Sequence, residues 1–328
     1  LFNDPYDGGT HLNDFRLVRP LMRGGKVFVW LASVGHWLDV GGNVPGNFNA
    51  KATESFQEGF RVPPVKLARA GVIQQDIIDI LAANSRVPQS NWGDLNGQIN
   101  ALDLGERRLH ALLDEYGEGT VLAALATLSE RAATLMRSNI KALPDGTYSY
   151  DDFLDNDGVT DQPLRIALDL TVKGDRMTLD FSRSAPPCDG PLNISRSTTV
   201  ACCYVALKHL FTDVPANAGC LAPIEFVIPD ATLLGVSAPK PVGGYTAVAR
   251  WLARAWQTLG DVLFFRWWPR RQSRRRRSQS RQQSDFDRDH SACGDSGVAL
   301  SGHVHAVGVA AGFGGSRAAS RRARRDLR

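Results

Sequence analysis

The sequence has 328 residues, of which 43% are hydrophobic and 22% charged, with a formal net charge of +4. That is enough chain to bury a sizeable core in one large or two ordinary domains, and the composition is that of a globular protein. No apolar run approaches the roughly 18 to 20 residues of a membrane span, and no basic-then-apolar leader opens the chain, so the reading is cytoplasmic with no membrane partner.

The first element is a hairpin. Two apolar runs between Phe15 and Val34 flank Gly24-Gly25, and a Gly-Gly pair in that setting signals a tight turn. With the turn centred there, residues whose numbers sum to 49 face each other, which sets Asp14 opposite Gly35 and Asn13 opposite His36. Pro20 lies inside the first strand, so that strand must be an edge or be bulged, and the register can slip by one. The open end of the hairpin gathers two His-x-x-Asp pairs, His11 with Asp14 and His36 with Asp39. Either pair alone reads as a hydrogen-bonded turn. Brought together, imidazole nitrogen and carboxylate oxygen suit first-row divalent ions such as zinc, manganese or iron, and three protein ligands leave a position for water. The expected ligand set is His11, His36 and Asp39, with Asp14 in reserve.

Beyond the hairpin, residues 39–61 are rich in Gly, Asn and Pro and read as a long ordered loop. Glu54, Glu58 and Arg61 lie at i, i+4 and i+7, spacing that would line one helical face. There Glu58 is a candidate proton shuttle and Arg61 a candidate holder of a carboxylate or phosphate, against a purely structural ion pair. Helices are expected over 76–83, 106–116 and 120–141, the last two split by Gly117 and Gly119, with leucines such as Leu112, Leu113, Leu122 and Leu128 forming core stripes. Asp155-Asn156-Asp157-Gly158 lacks the spaced acidic ligands of a calcium loop and reads as a turn. Period-two alternation over 166–172 and 177–181 around Lys173-Gly174-Asp175-Arg176 predicts a β-hairpin. A buried helix follows over 199–211, with His209 as a cap near its end. The five cysteines show no Cys-x-x-Cys spacing, so neither a disulfide framework nor a zinc knuckle is expected.

Several segments in fixed order resemble the hydantoinase B/oxoprolinase family: Asn3 to Asp14, His36 to Gly42, Thr53 to Leu67, Gly93-Asp94-Leu95-Asn96-Gly97-Gln98-Ile99, Leu143 to Gly146, Gly190 to Asn193 and Pro241-Val242-Gly243-Gly244-Tyr245-Thr246. The resemblance implies an α+β fold of mixed helices and antiparallel hairpins over residues 1–246. It also implies the B-type half of an ATP-dependent cyclic amidohydrolase. An A-type partner subunit would bind ATP and phosphorylate a hydantoin or 5-oxoproline carbonyl, and the B-type chain would open the ring with water activated by zinc, manganese or magnesium. The chain itself has no Gly-x-x-x-x-Gly-Lys-Ser/Thr loop, which agrees with ATP sitting on the partner. The same resemblance extends to subunits of acetone and acetophenone carboxylases, which stand as the alternative alongside an inactive fragment. It further implies a segment ahead of Asn3, carrying another carboxylate ligand, which makes this sequence a fragment.

From Arg250 onward the chain holds 17 Arg and six Asp with no Lys or Glu, a charge of +11 against −7 for residues 1–249. The loss of Lys and Glu together and the mixture of Arg, Ser, Gly and Ala mark residues 247–328 as a divergent tail, either an out-of-frame reading of GC-rich coding sequence or a solvated extension. Nucleic-acid binding through Arg270 to Arg277 and Trp267-Trp268 is the weakest of the three readings.

Overall fold

The computed structural model describes residues 1–250, 252 and 308–310. The tail reading, the Arg run and Trp267-Trp268 otherwise lie outside the described residues. The fold is α+β, as expected.

The predicted hairpin opens the fold: β1 (Asp14–Arg23) and β2 (Lys26–His36) pair antiparallel around Gly24 and Gly25. Both glycines have positive φ, 55° and 77°, the conformation a two-residue hairpin turn requires. Near the turn the register sums to 49, as in Met22 opposite Val27. Beyond it Leu21 faces Val29, Phe28 is left without a partner, and every later pair sums to 50. This bulge, one residue from Pro20, sets Asp14 opposite His36 rather than Gly35. β1 lies at the edge of a sheet ordered β1-β2-β9, where β9 is Gly308–Ala310, so Pro20 interrupts no central ladder.

The inner face of the hairpin buries Phe15, Leu17, Leu21, Val29 and Leu31 against α1 (Gln75–Ala83) and α2 (Pro88–Tyr116). Trp37 stacks on Phe15 with ring centroids 3.8 Å apart and donates through Nε1 to Gln98 on α2 at 3.1 Å. Between α1 and the hairpin, the short strands β3 (Ala68–Arg69) and β4 (Val72–Ile73) form a separate pair.

α3 (Glu118–Lys141) ties this core to a second one: Val121 belongs to the first, whereas Ala132, Met136 and Ile140 belong to the second. The second core is covered by a sheet of β5 (Gly146–Leu154), β6 (Leu164–Lys173), β7 (Arg176–Asp180) and β8 (Ile224–Val227), with α4 (Arg196–Leu210) packed on it. β7 and β8 run parallel, a departure from an all-antiparallel expectation. The leucine stripes are only half core: Leu113 is buried, but Leu112, Leu122 and Leu128 are exposed. Asp157 is buried and accepts amide hydrogens from Val159, Thr160, Asp189 and Gly190, a structural anchor in the predicted turn. Cys188, Cys202 and Cys220 are free thiols, and among the described residues no helix is long and apolar enough to cross a membrane.

Candidate metal centre

Asparagines and backbone carbonyls fix the polypeptide on either side of the first histidine. Asn3 is fully buried, donates to the Leu12 and Phe60 carbonyls at 2.7 and 2.9 Å, and accepts from the Val62 amide at 2.6 Å. Asn13 donates to the Trp37 carbonyl at 2.9 Å, which locks the start of β1 to the end of β2. His11 is thereby held beneath the hairpin's open end, 2% exposed, while His36 stands half-exposed on the strand opposite Asp14.

These three side chains converge. His11 Nδ1 lies 3.2 Å from Asp14 Oδ2, His36 Nδ1 lies 3.1 Å from Asp14 Oδ1, and the two imidazole rings are 4.9 Å apart. Thr10 Oγ1 donates to Asp14 Oδ2, and Arg16 donates to Thr10 Oγ1 at 2.9 Å, so the carboxylate is aimed from both sides. Burial alone would raise the Asp14 pKa. The hydrogen bonds from His11, His36 and Thr10 outweigh it and hold the carboxyl well below the usual range, so Asp14 is ionised at neutral pH.

One donor atom from each of His11, Asp14 and His36 falls within 4.8 Å of the others, a spacing that fits a single divalent ion. His11 Nε2 is buried without a hydrogen-bond partner, and buried polar atoms are rarely left so. His11 thus turns Nδ1 toward Asp14 and leaves Nε2 unpaired, and a buried imidazole nitrogen without a partner has the chemistry of a metal ligand.

The structure brings Asp14, the expected reserve ligand, to the two histidines and does not bring Asp39 there. Its carboxylate accepts from the amides of Gly41, Gly46 and Arg86 and from Arg86 Nη1, all at 3.0 to 3.2 Å, and it closes the loop after β2. Those bonds fill its lone-pair directions, and against the opposing effect of burial they lower its pKa. The physical reason for the exchange is the bulge at Phe28, which moved His36 onto Asp14.

The Glu58 and Arg61 expectation changes for a similar reason. Only a 3-10 turn, Ser55–Gln57, forms in this loop, so the three residues do not share a helical face. Arg61 lies over the Tyr6 and Phe56 rings with its Nε 3.7 Å from Asp4. Glu58 is buried and accepts from the Val242 and Gly243 amides at 2.8 and 2.6 Å. Both of its oxygens hold backbone amides, away from solvent. Burial nevertheless pushes its carboxyl up to about 7, more than the two amides lower it.

Two neighbours of the centre carried no role in the sequence. Tyr245 packs against His11 with ring centroids 4.4 Å apart and planes tilted by 31°, and its phenol is raised by burial and then by the nearby Asp14 charge. Asp94, on α2, has its carboxyl raised by partial burial, an effect that nearby His36 partly offsets. Both belong to motifs singled out in the sequence, but nothing local to those motifs says that they face His11 or His36.

Known proteins share this chain's sequence and fold. Residues 1–272 match the family model of hydantoinase B/oxoprolinase, past the boundary drawn at 246. The caprolactamase beta subunit of Pseudomonas jessenii is 33% identical over 73% of this chain and 41% of its own length. The B-type subunit of a putative D-/L-hydantoinase from a Pseudomonas species (strain NS671) is 31% identical over 74% of this chain and 43% of its length. The crystal structure of the ATP-dependent caprolactamase from P. jessenii superposes with a TM-score of 0.73 at 31% identity, covering 80% of this chain and 46% of that one. The chain thus spans less than half the length of these relatives.

Proposed function

The chain belongs to the hydantoinase B/oxoprolinase family, and from that premise we propose that it is the metal-binding part of a B-type subunit in an ATP-dependent cyclic amidohydrolase. The observation that carries this reading is the convergence of His11, Asp14 and His36 within 4.8 Å. When bound there, a divalent ion such as zinc, manganese or magnesium supplies Lewis acidity toward water or a carbonyl oxygen. The protein's own residues supply the setting. Asp14 stays ionised and orients both imidazoles, Thr10 and Arg16 orient Asp14, and Tyr245 covers one face of the His11 ring. The half-exposed His36 keeps the centre open on one side for a small substrate.

The substrate class is a cyclic amide, a hydantoin or 5-oxoproline, presented by an A-type subunit that binds ATP. The test is reconstitution. The chain, supplied with an A-type subunit and ATP, is expected to support ring opening without added bicarbonate. His36→Ala is expected to lose that activity at least roughly 100-fold, since loss of a direct ligand exceeds the 10- to 100-fold typical of outer-shell changes. Turnover that strictly requires bicarbonate would instead assign the chain to a carboxylase.

A further inference from the structure

We infer that Glu58 is a positioning residue for the candidate metal centre and acts on it through Tyr245. Its carboxylate grips the Val242 and Gly243 amides and so lays the Tyr245 ring on His11. The inference rests on the proposed function only in taking His11 as part of the working site.

The starting point is a cost. A buried carboxylate forfeits its hydration, and among the described residues Glu58 makes no ion pair to offset that loss. Its two strong bonds go to consecutive amides at 2.8 and 2.6 Å, two to three residues ahead of Tyr245. The approach is close enough to dictate a glycine: a Cβ on Gly243 would sit 2.8 Å from Glu58 Oε1.

The rest of the strap is held through its other backbone groups. The Ser55 amide donates to the Pro239 carbonyl at 2.8 Å, Tyr6 donates to the Lys240 carbonyl, and Asn193 donates to the Pro241 carbonyl at 3.2 Å. The Gly244 amide donates to the Pro191 carbonyl at 2.9 Å. Glu58 alone receives the amides of Val242 and Gly243, so it sets the direction in which the strap delivers Tyr245. Tyr245 in turn meets His11 at a 31° tilt and a centroid distance of 4.4 Å. That contact fixes the imidazole plane and shields it from water. A residue 47 positions away from the histidine in sequence thus orients it by way of a segment nearly 190 positions further on.

The test uses the full chain with histidine rings isotopically labelled, without metal, and then with zinc alone. Tyr245→Phe keeps the packed ring and is expected to leave the His11 ring signal and zinc affinity unchanged. Tyr245→Ala and Glu58→Gln are each expected to shift the His11 signal and to weaken zinc roughly 10-fold, the scale of an outer-shell loss. The double variant should be no weaker than Tyr245→Ala, because both act on one contact. Should Glu58→Gln fail to fold, Gly243→Ala breaks the same grip from the other side and must give the same shift. An unmoved His11 signal in either variant, or losses that add in the double variant, would overturn the inference. If the wild-type chain binds no zinc, the proposed function fails, and the His11 signal in the metal-free protein still decides this inference.

Discussion

Asp14 and Asp39 each lie three residues after a histidine, yet only Asp14 joins His11 and His36 in one cluster. The histidines were legible in the sequence because their chemistry and their place at the hairpin's open end were both visible. The choice between the carboxylates was not, since it turns on which oxygen atoms already have partners. Asp39 spends its lone pairs on Gly41, Gly46 and Arg86, whereas Asp14 spends its own on two imidazoles and a threonine. Asp157 shows the same use of a carboxylate for backbone anchoring. Burial raises its pKa, but amides of Thr160, Gly190 and Val159 outweigh that and hold it at about 2. Because this folded-state value lies below the ordinary 3.8, the native state binds fewer protons, and the stabilisation is complete above pH 4 and lost as the pH falls through about 2. Asp157→Asn is therefore expected to cost roughly 2 kcal/mol at neutral pH. Urea unfolding at several pH values checks this, with the two proteins converging near pH 2.

Among the elements, the hairpin was the most legible, since Gly-Gly, alternating apolar residues and Pro20 each left a local mark. Its register beyond Leu21 was legible only as an option, because a bulge is decided by how well Phe28 packs and not by any turn residue. The register has a direct check. Val18→Cys with Ala32→Cys, a directly opposed pair, is expected to form a disulfide on mild oxidation, whereas Val18→Cys with Leu31→Cys is not. Helix boundaries were read well for α1, α3 and α4, but α2 begins at Pro88, well ahead of the periodic leucines. Its first turns bury Asn91, Leu95 and Gln98, a mixed polar face that carries little helical signature. The exposure of Leu112, Leu122 and Leu128 shows that period alone marks an apolar stripe without saying that the stripe is covered. The loop carrying Glu58 was legible as an ordered loop but its path was not, because its order comes from Asn47 and the 239–245 strap and not from its own propensity.

At the scale of the whole molecule, two cores share α3, and the candidate metal centre draws on both. Asp14 and His36 come from the hairpin, His11 from the turn that leads into it, and Tyr245 from the strap that leaves the second core. Ordered motifs along the chain made the family legible, while the meeting of residues 11, 58 and 245 was not, because contacts across that sequence distance leave no local pattern. The central claim is that His11, Asp14 and His36 form one metal centre and that Asp39 does not belong to it. Metal analysis of the purified full chain after loading with zinc or manganese tests this most directly, on wild type, His11→Ala, Asp14→Asn, His36→Ala and Asp39→Asn. The expected result is about one ion per chain in wild type and in folded Asp39→Asn, with the ion lost from the other three. Equal metal in all five proteins, or loss in folded Asp39→Asn with retention in Asp14→Asn, would contradict the account.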